Sequence, residues 1–522
     1  MTFEHLAIPG LSDDEERTVN RLLGQLLACR DDNLLRSSMY EGKQAAKLVG
    51  SVIPPQYARL SIALGWSGKA VDSLTRRTKV ERFAWADGDL DSLGMRELEE
   101  ANQVRSQIGQ ALTDSATHGP SFLITTKGAE SEPEALLHVK DALNCTGTWN
   151  ARVHRLTDAL SVTSWDAQNP TRPTGIVLYL DGLTITADRV DGKWQVDRSE
   201  HPWGVPVEPL IYKPRPSRPW GSSRLSKPIM SLHMQALREL VRLEGHMDVY
   251  SYPEMWMLGA DMSAFKNADG SQRAVWQVVL GRIKGLEDNP DKPDNLARAD
   301  VKQFPAASPE PHVKALATFA KLFAREASLP DSAVAIEGLT NPTSAESYDA
   351  SQYELIAEAE GACDDWTTPV ARTIRRLLAI WNGEDGVPDS WQSIGPKWRD
   401  VRYQSKAAQA DAGMKQLTAI PWLAETEVGL ELLGLSEQQI GRALAERRRA
   451  AGRDVIAAAA SGAAREDAAT VKAKADAMGV LIRAGVSPES AARQVGMGVE
   501  FTGAVPVSLR LPEDQANRVE GK

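Results

Sequence analysis

Apolar positions recur along this chain with two different periods. The first 115 residues repeat them at helical spacing, in Val19 to Leu27 and again in Leu60 to Leu74, with Pro54-Pro55 breaking the run between. A further helix is expected over Leu93 to Leu112, carrying Glu97-Leu98-Glu99-Glu100-Ala101-Asn102-Gln103 and stopping before Gly119-Pro120. The period then shortens to that of strands. Ser121 to Thr126 is short and apolar, and Ile176 to Leu180, Asp181-Gly182 and Leu183 to Thr186 read as a hairpin around an Asp-Gly turn. Asp191-Gly192 before Lys193-Trp194-Gln195-Val196 implies another turn of the same meander. Pro202, Pro206, Pro209, Pro214, Pro216 and Pro219 follow, a stretch expected to be extended and to mark a domain boundary.

The strongest helical signal comes next. Leu225, Ile229, Leu232, Ala236, Leu240, Leu243, Met247 and Tyr250 step by three and four, giving one apolar stripe along the helix. Pro228 is tolerable in the first turn, and Gly245 is the weak point, costing about 1 kcal/mol relative to alanine. From Pro253 to Pro311 the pattern is irregular, with strand-like Trp276 to Leu280 and a polar run from Asp288 to Asp300. A second amphipathic helix is expected over His312 to Ala327, ended by Ser328-Leu329-Pro330. Thr343 and Glu346 form a capping box opening a long helix, in which Gly361 and Pro369 predict a kink before it resumes through Ile374, Leu377, Leu378 and Trp381. Beyond Tyr403 alanine-rich helices are expected over Ser405 to Leu417, Ser436 to Ala450 and Val455 to Ala484, then a loose tail. The fold class is α+β, predominantly helical.

Composition narrows the function. The chain has 522 residues, 42% hydrophobic and 25% charged, enough for several cores. No apolar run reaches the roughly 18 residues of a membrane span, and Met1 to Glu16 is acidic, unlike a secretory leader. Cys29, Cys145 and Cys363 are too scattered for a disulfide framework or metal knuckle and fit a reducing compartment. A net charge of -10 argues against avid, non-specific nucleic-acid binding. Catalytic signatures are missing as well. There is no phosphate-cradling GxxxxGK[ST] loop, and Gly496-Met497-Gly498 is a poor substitute for a dinucleotide fingerprint. Gly65-Trp66-Ser67-Gly68-Lys69 lacks the last glycine of a nucleophile elbow. The histidines (His5, His118, His138, His154, His201, His233, His246, His312) include no HExxH and no i, i+4 pair, and acidic pairs such as Asp364-Asp365 suit a solvated helix face. Neither a cofactor nor a metal is expected, and the balance favours a structural or assembly role over an enzyme.

Several motifs, in chain order, resemble the portal proteins of tailed bacteriophages, specifically the Gp6-like portal group. Trp66 to Arg77 looks like that family's early helix, and Ala101-Asn102-Gln103 followed by Gly119-Pro120-Ser121-Phe122 like its helix leading into a strand. His201 to Val207 contains the Gly-Val-Pro-Val that precedes the stem, and Gly221-Ser222-Ser223-Arg224-Leu225 resembles the stem opening. Ser328-Leu329-Pro330 before Asn341-Pro342-Thr343-Ser344-Ala345-Glu346 is the most specific piece, with Ser347 standing where alanine is usual. Lys406 to Asp411 and Gly434 to Ile440 fit the crown side. The resemblance covers about residues 50 to 450; no single motif decides it, but their order does.

The resemblance implies a dodecameric ring at one capsid vertex, through which DNA is packaged and ejected. It implies partners too: the terminase large subunit, a head-completion or adaptor protein, the major capsid and scaffolding proteins, and double-stranded DNA in the channel, with no membrane. The implied location is the virion's portal vertex, after assembly in the host cytoplasm. Mapped onto this chain, 1–220 is the wing, 221–252 the stem helix, 253–311 the clip, 312–330 the second stem helix and 331–342 the tunnel loop. The long kinked helix is 343–382, the wing return 383–404, the crown 405–485 and the C-terminal tail 486–522. Gly338, Leu339, Thr340, Asn341 and Pro342 would face DNA. Leu225, Ile229, Leu232, Leu240, Leu243, Val313, Phe319 and Phe323 would form stem interfaces, and Trp256, Trp276, Arg282 and Lys284 would supply clip contacts. Arg447, Arg448 and Arg449, among the crown arginines with Arg442 and Arg453, could touch packaged DNA, but such a cluster is more often a solvated helix face or pairs with nearby glutamates. From the pattern alone the Leu225 to Tyr250 stripe is that of an ordinary core helix, and Asn341-Pro342 that of an ordinary turn. Acidity, which counts against a DNA-binding protein, suits a conduit along which DNA must slide, since each phosphate contact is a drag. Two other readings stay open: a nucleic-acid-processing enzyme of the packaging apparatus, and a helical capsid-interior or scaffolding protein.

Overall fold

The computed structural model describes residues 5–44, 62–250, 255–258, 269–271, 300–303, 307–334, 350–402, 406–460 and 468–499. The chain divides into two compact units, 1–403 and 404–522.

The first unit opens with helix α1 (Asp13–Tyr40). Its start is written in the acidic N-terminus: the Ser12 hydroxyl accepts from the Glu15 amide, the Glu15 side chain accepts from the Ser12 amide, and Asp13 to Glu16 face the positive end of the helix dipole. Val19, Leu22, Leu23 and Leu26 pack this helix on a five-stranded antiparallel sheet through Leu160, Val162, Ile176, Leu178 and Ile185. That sheet is an uninterrupted meander of β4 (Cys145–Asn150), β5 (Arg155–Trp165), β6 (Pro173–Leu180), β7 (Leu183–Val190) and β8 (Lys193–Glu200). Both expected Asp-Gly turns are present, with Asp191 at φ 51° and Gly192 at φ 79°.

A second, three-stranded sheet has β2 (Pro120–Lys127) between β3 (Ala135–Asp141) and β9 (Val207–Ile211). Here two expectations change. The proline-rich stretch is extended, but it contains β9, whose five residues are all buried. Pro209 sits opposite Phe122 in that ladder, tolerated because β9 is an edge strand. It is therefore part of the core and no linker. The single helix expected over Leu93 to Leu112 is in fact two, α3 (Met95–Asn102) and α4 (Val104–His118), broken at Gln103 with φ 49°. The Asn102 amide donates to the Ala135 carbonyl at 2.9 Å and its Oδ1 accepts from the Leu137 amide at 2.8 Å, so this side chain serves the β3 backbone.

The main core lies between α2 (Trp66–Thr75), α3, α4, the three-stranded sheet and three later helices. These are α5 (Lys227–Tyr250), α6 (Glu310–Glu326) and α7 (Tyr353–Trp381). Trp366 on α7 and Phe323 on α6 are fully buried at its centre. α7 runs as one helix across Gly361 and Pro369, about 43 Å at 1.5 Å per residue. The capping box at Thr343 and Glu346 lies outside the described residues. Past α7 the chain returns as β12 (Gly395–Trp398), which pairs antiparallel with β1 (Val80–Ala84).

The second unit is a set of helices: α8 (Lys406–Ala419), α9 (Glu427–Leu432), α10 (Glu437–Ala460), α11 (Ala468–Arg483) and α12 (Pro488–Val495). α10 passes through the expected break near Ala450, as its alanine content allows. The tail is corrected in part: 488–495 is a helix with Ala491 and Ala492 buried, closed by Gly496 in the left-handed conformation.

Candidate functional site

The long stripe and the second amphipathic helix pack together. α5 and α6 lie side by side, and the region between them begins and ends in a two-stranded antiparallel ribbon of β10 (Met255–Leu258) and β11 (Asp300–Gln303). Met255 is paired with Gln303 and Leu258 with Asp300, so the chain leaves and re-enters at one place. Polar contacts tie the two helices. The His312 Nδ1 meets Glu239 Oε1 at 2.6 Å, the His246 Nε2 meets the Ala307 carbonyl at 2.9 Å, and the two imidazoles stand edge to face at 5.1 Å. Arg242 also reaches Glu239 at 3.0 Å.

At the other end the helix pair is anchored in the body by a buried ionic hub. Arg224, just ahead of α5, donates from Nε to the Ala70 carbonyl and from Nη2 to the Ala327 carbonyl, both at 2.7 Å. Its Nη1 pairs with Glu358 of α7, which also meets the Tyr212 hydroxyl and Lys213. Burial raises the Glu358 carboxyl, but Arg224 and the hydrogen bonds from Lys213 and Tyr212 outweigh it and hold the group below its usual range. One guanidinium thus joins α2, α5, the end of α6 and α7. One turn further along, the Ser67 hydroxyl and His233 Nδ1 are 2.8 Å apart, and burial drives the imidazole down to about 4, so it is neutral at physiological pH.

The expected interface residues divide by burial. Leu225, Ile229 and Phe323 lie in this chain's own core at 1%, 2% and 0% exposure, and Phe323 meets the Trp66 ring at 5.3 Å. That corrects their expected place: no surface remains on them for a partner. Leu232, Leu240, Leu243, Val313 and Phe319 are half-buried, and Met247, Tyr250 and Leu322 are exposed large apolar side chains. The stripe is rotated slightly from the packed face, which runs through Ile229, His233, Leu237 and Val241. Sequence reasoning passed over His233, a polar residue on the buried face, and also the His246–His312 pair, because it scanned for spacing within one helix. Among the described residues no cluster of histidine, cysteine and carboxylates could hold a metal.

Trp256 falls in β10, opposite Lys302. Trp276, Arg282 and Lys284, and the expected DNA-facing Gly338, Leu339, Thr340, Asn341 and Pro342, lie outside the described residues. In the second unit Arg447 pairs with Glu425, its Nη2 at 2.9 Å from the carboxylate and its Nη1 donating to the Glu425 carbonyl at 2.8 Å. Arg448 and Arg449 are exposed on the same helix. The same unit exposes Met414, Trp422 and Val428, with Trp422 at 69%.

A family model described as phage portal protein, SPP1 Gp6-like, matches residues 23–453. The chain belongs to the phage portal protein family. The match runs from within α1 through most of α10, including the paired helices and the ribbon between them. The portal protein of Mycobacterium phage L5 is 24% identical over 421 residues, covering 78% of this chain and 84% of that protein. The portal protein of Mycobacterium phage D29 is 26% identical over 424 residues, 79% and 83% respectively. Among solved structures, a chain from the neck of a native gene transfer agent particle computed with C12 symmetry matches with TM-score 0.37 and 15% identity, covering 71% of this chain and 89% of that one. A chain from the neck of the empty particle, computed with C6 symmetry, gives TM-score 0.41 and 16% identity over 71% and 90%. Both scores are low. Portal proteins are structural proteins, and no described helix is long and apolar enough to cross a membrane.

Proposed function

We propose that this chain is the subunit of a dodecameric portal ring at one capsid vertex of a tailed phage. The ring is the conduit for packaging and ejecting double-stranded DNA. The family match over residues 23–453 carries this reading. In it, α5 and α6 are the stem, the segment between them the clip, residues 331–342 the tunnel loop, and the second unit the crown. The terminase large subunit and then a head-completion or adaptor protein dock at the clip, while the major capsid and scaffolding proteins surround the ring during assembly in the host cytoplasm.

The distribution of apolar surface supports the proposal. Met247, Tyr250 and Leu322 are exposed on a helix pair whose other face is fixed in the core, as a subunit needing a neighbour would be. In a closed ring each subunit offers one face to the next and receives another, a heterologous contact that ends only by rotation. Net acidity keeps the assembly from gripping the polyanion that must slide through it. The test is the native mass of the purified protein by light scattering, with negative-stain images of the same fraction. A mass near twelve copies with annular particles is the expected result; a strict monomer across salt and concentration counts against the ring.

A further inference from the structure

Toward its C-terminal end, well beyond Glu358 and the hub, α7 carries an arginine cluster that the portal reading leaves unused. Arg372, Arg375 and Arg376 share one helix face by their i, i+3 and i+4 spacing, and Arg155 at the start of β5 joins them around a cavity of about 170 Å³. Trp203 and Glu208 also line it. A neighbouring cavity of about 320 Å³ shares Arg155, Trp203, Glu208 and Arg376 and adds Asp181.

Four guanidiniums thus face one carboxylate, and they are not equally engaged. Arg376 is spent on Glu208, at 2.6 Å and buried. Arg375 braces the following loop, donating from Nε to the Ile394 carbonyl at 2.8 Å and from Nη1 to Gln392 Oε1 at 3.1 Å. Arg372 gives one Nη1 bond to the His154 carbonyl at 2.9 Å and stands 3.7 Å from the far oxygen of Glu208. The Arg155 side chain has no partner among the described residues. The remaining donors of Arg155 and Arg372 are therefore open, and Glu208 already serves two cations. The excess is felt locally: burial and then Arg372 lower the Arg375 guanidinium, and burial and then Arg376 lower His201.

We propose that this pocket is a binding site for a phosphate-type oxyanion. Guanidinium forks converging from a helix and a strand supply bidentate donors from more than one side, the geometry a tetrahedral oxyanion uses. The volume equals several waters at about 30 Å³ each, room for one such anion and its remaining hydration. The phosphate can be inorganic or belong to a nucleic-acid strand, and the site does not depend on ring assembly.

The test is isothermal titration of the full-length protein with sodium phosphate, ionic strength held constant with chloride, and then with a short DNA duplex. Saturable phosphate binding is expected, weakened about tenfold or more in Arg155→Ala, which removes an exposed and unpaired side chain without disturbing the fold. Arg372→Lys, which keeps the charge but loses the fork, is expected to weaken it too. If the duplex displaces phosphate, the ligand is a nucleic-acid phosphate; if phosphate binding persists beside the duplex, it is the free ion. No saturable binding of either, or equal affinity in wild type and both variants, overturns the site.

Discussion

Asp114 on α4 is the acid most at odds with its surroundings. Burial, and then the charge of Asp141, push its carboxyl up from an ordinary 3.8 to about 7. Folded protein thus holds a proton that unfolded chain has released between these pH values, so stability falls as pH rises from about 4 through 7 and stays reduced above. Asp114→Asn should therefore raise the melting temperature at pH 8, by about 2 kcal/mol in stability given its partly exposed side chain, with the gain shrinking as pH falls toward 4. His233 works in the opposite sense. Its imidazole is held neutral to about pH 4 against an ordinary 6.5, so stability is full above 6.5 and is lost as pH falls through that window. His233→Gln should flatten the acid limb of the stability–pH profile measured by denaturant titration. Arg224→Met would leave buried Glu358 with the partly exposed Lys213 as its remaining cation beside the Tyr212 hydroxyl, and is expected to cost about 3–5 kcal/mol, read from the same titrations. None of these groups announces itself in the sequence, because Arg224 and Glu358, or Asp114 and Asp141, are brought together only by the tertiary fold.

Elements were legible in proportion to how locally they are determined. The Leu225 to Tyr250 stripe locates α5 within two residues at its start, and His312 to Ala327 does the same for α6. The Asp-Gly turns fix the β6–β7–β8 part of the meander. By contrast β3, β4 and β5 escape a local reading: Cys145–Asn150 contains glycine, threonine and asparagine, and its strand state comes from pairing with Arg155–Trp165. β9 hides behind Pro209, and the α3–α4 break depends on Asn102 meeting β3 from 33 residues away. Burial across the α5–α6 pair was only half legible, since period reveals an apolar stripe but not whether the chain's own core or a neighbour covers it. Met247→Glu together with Leu322→Glu separates the two covers: both sites are exposed, so monomer stability should change by no more than about 0.5 kcal/mol while the ring fraction in light scattering collapses. Gly245→Ala, with open space where the methyl would go, should stabilise α5 by about 1 kcal/mol in thermal melts.

For the whole molecule, the chain divides into two compact units, and each is expected to unfold as its own cooperative step. Ending the chain after Tyr403 should leave the main calorimetric transition of the first unit in place and remove only the second. The ribbon at the far end of α5 and α6 bears on how such a protein diversifies. Because Leu258 and Asp300 are paired across the ribbon, the two ends of the stretch joining them stand one strand spacing apart, a narrow doorway. Closing a longer loop across the same doorway costs only about 0.6 kcal/mol per doubling of its length. Insertions, deletions and wholesale replacement there leave the spacing of the supporting helices alone, so the stretch can be exchanged as a cassette and evolve at its own pace, independently of the frame that carries it.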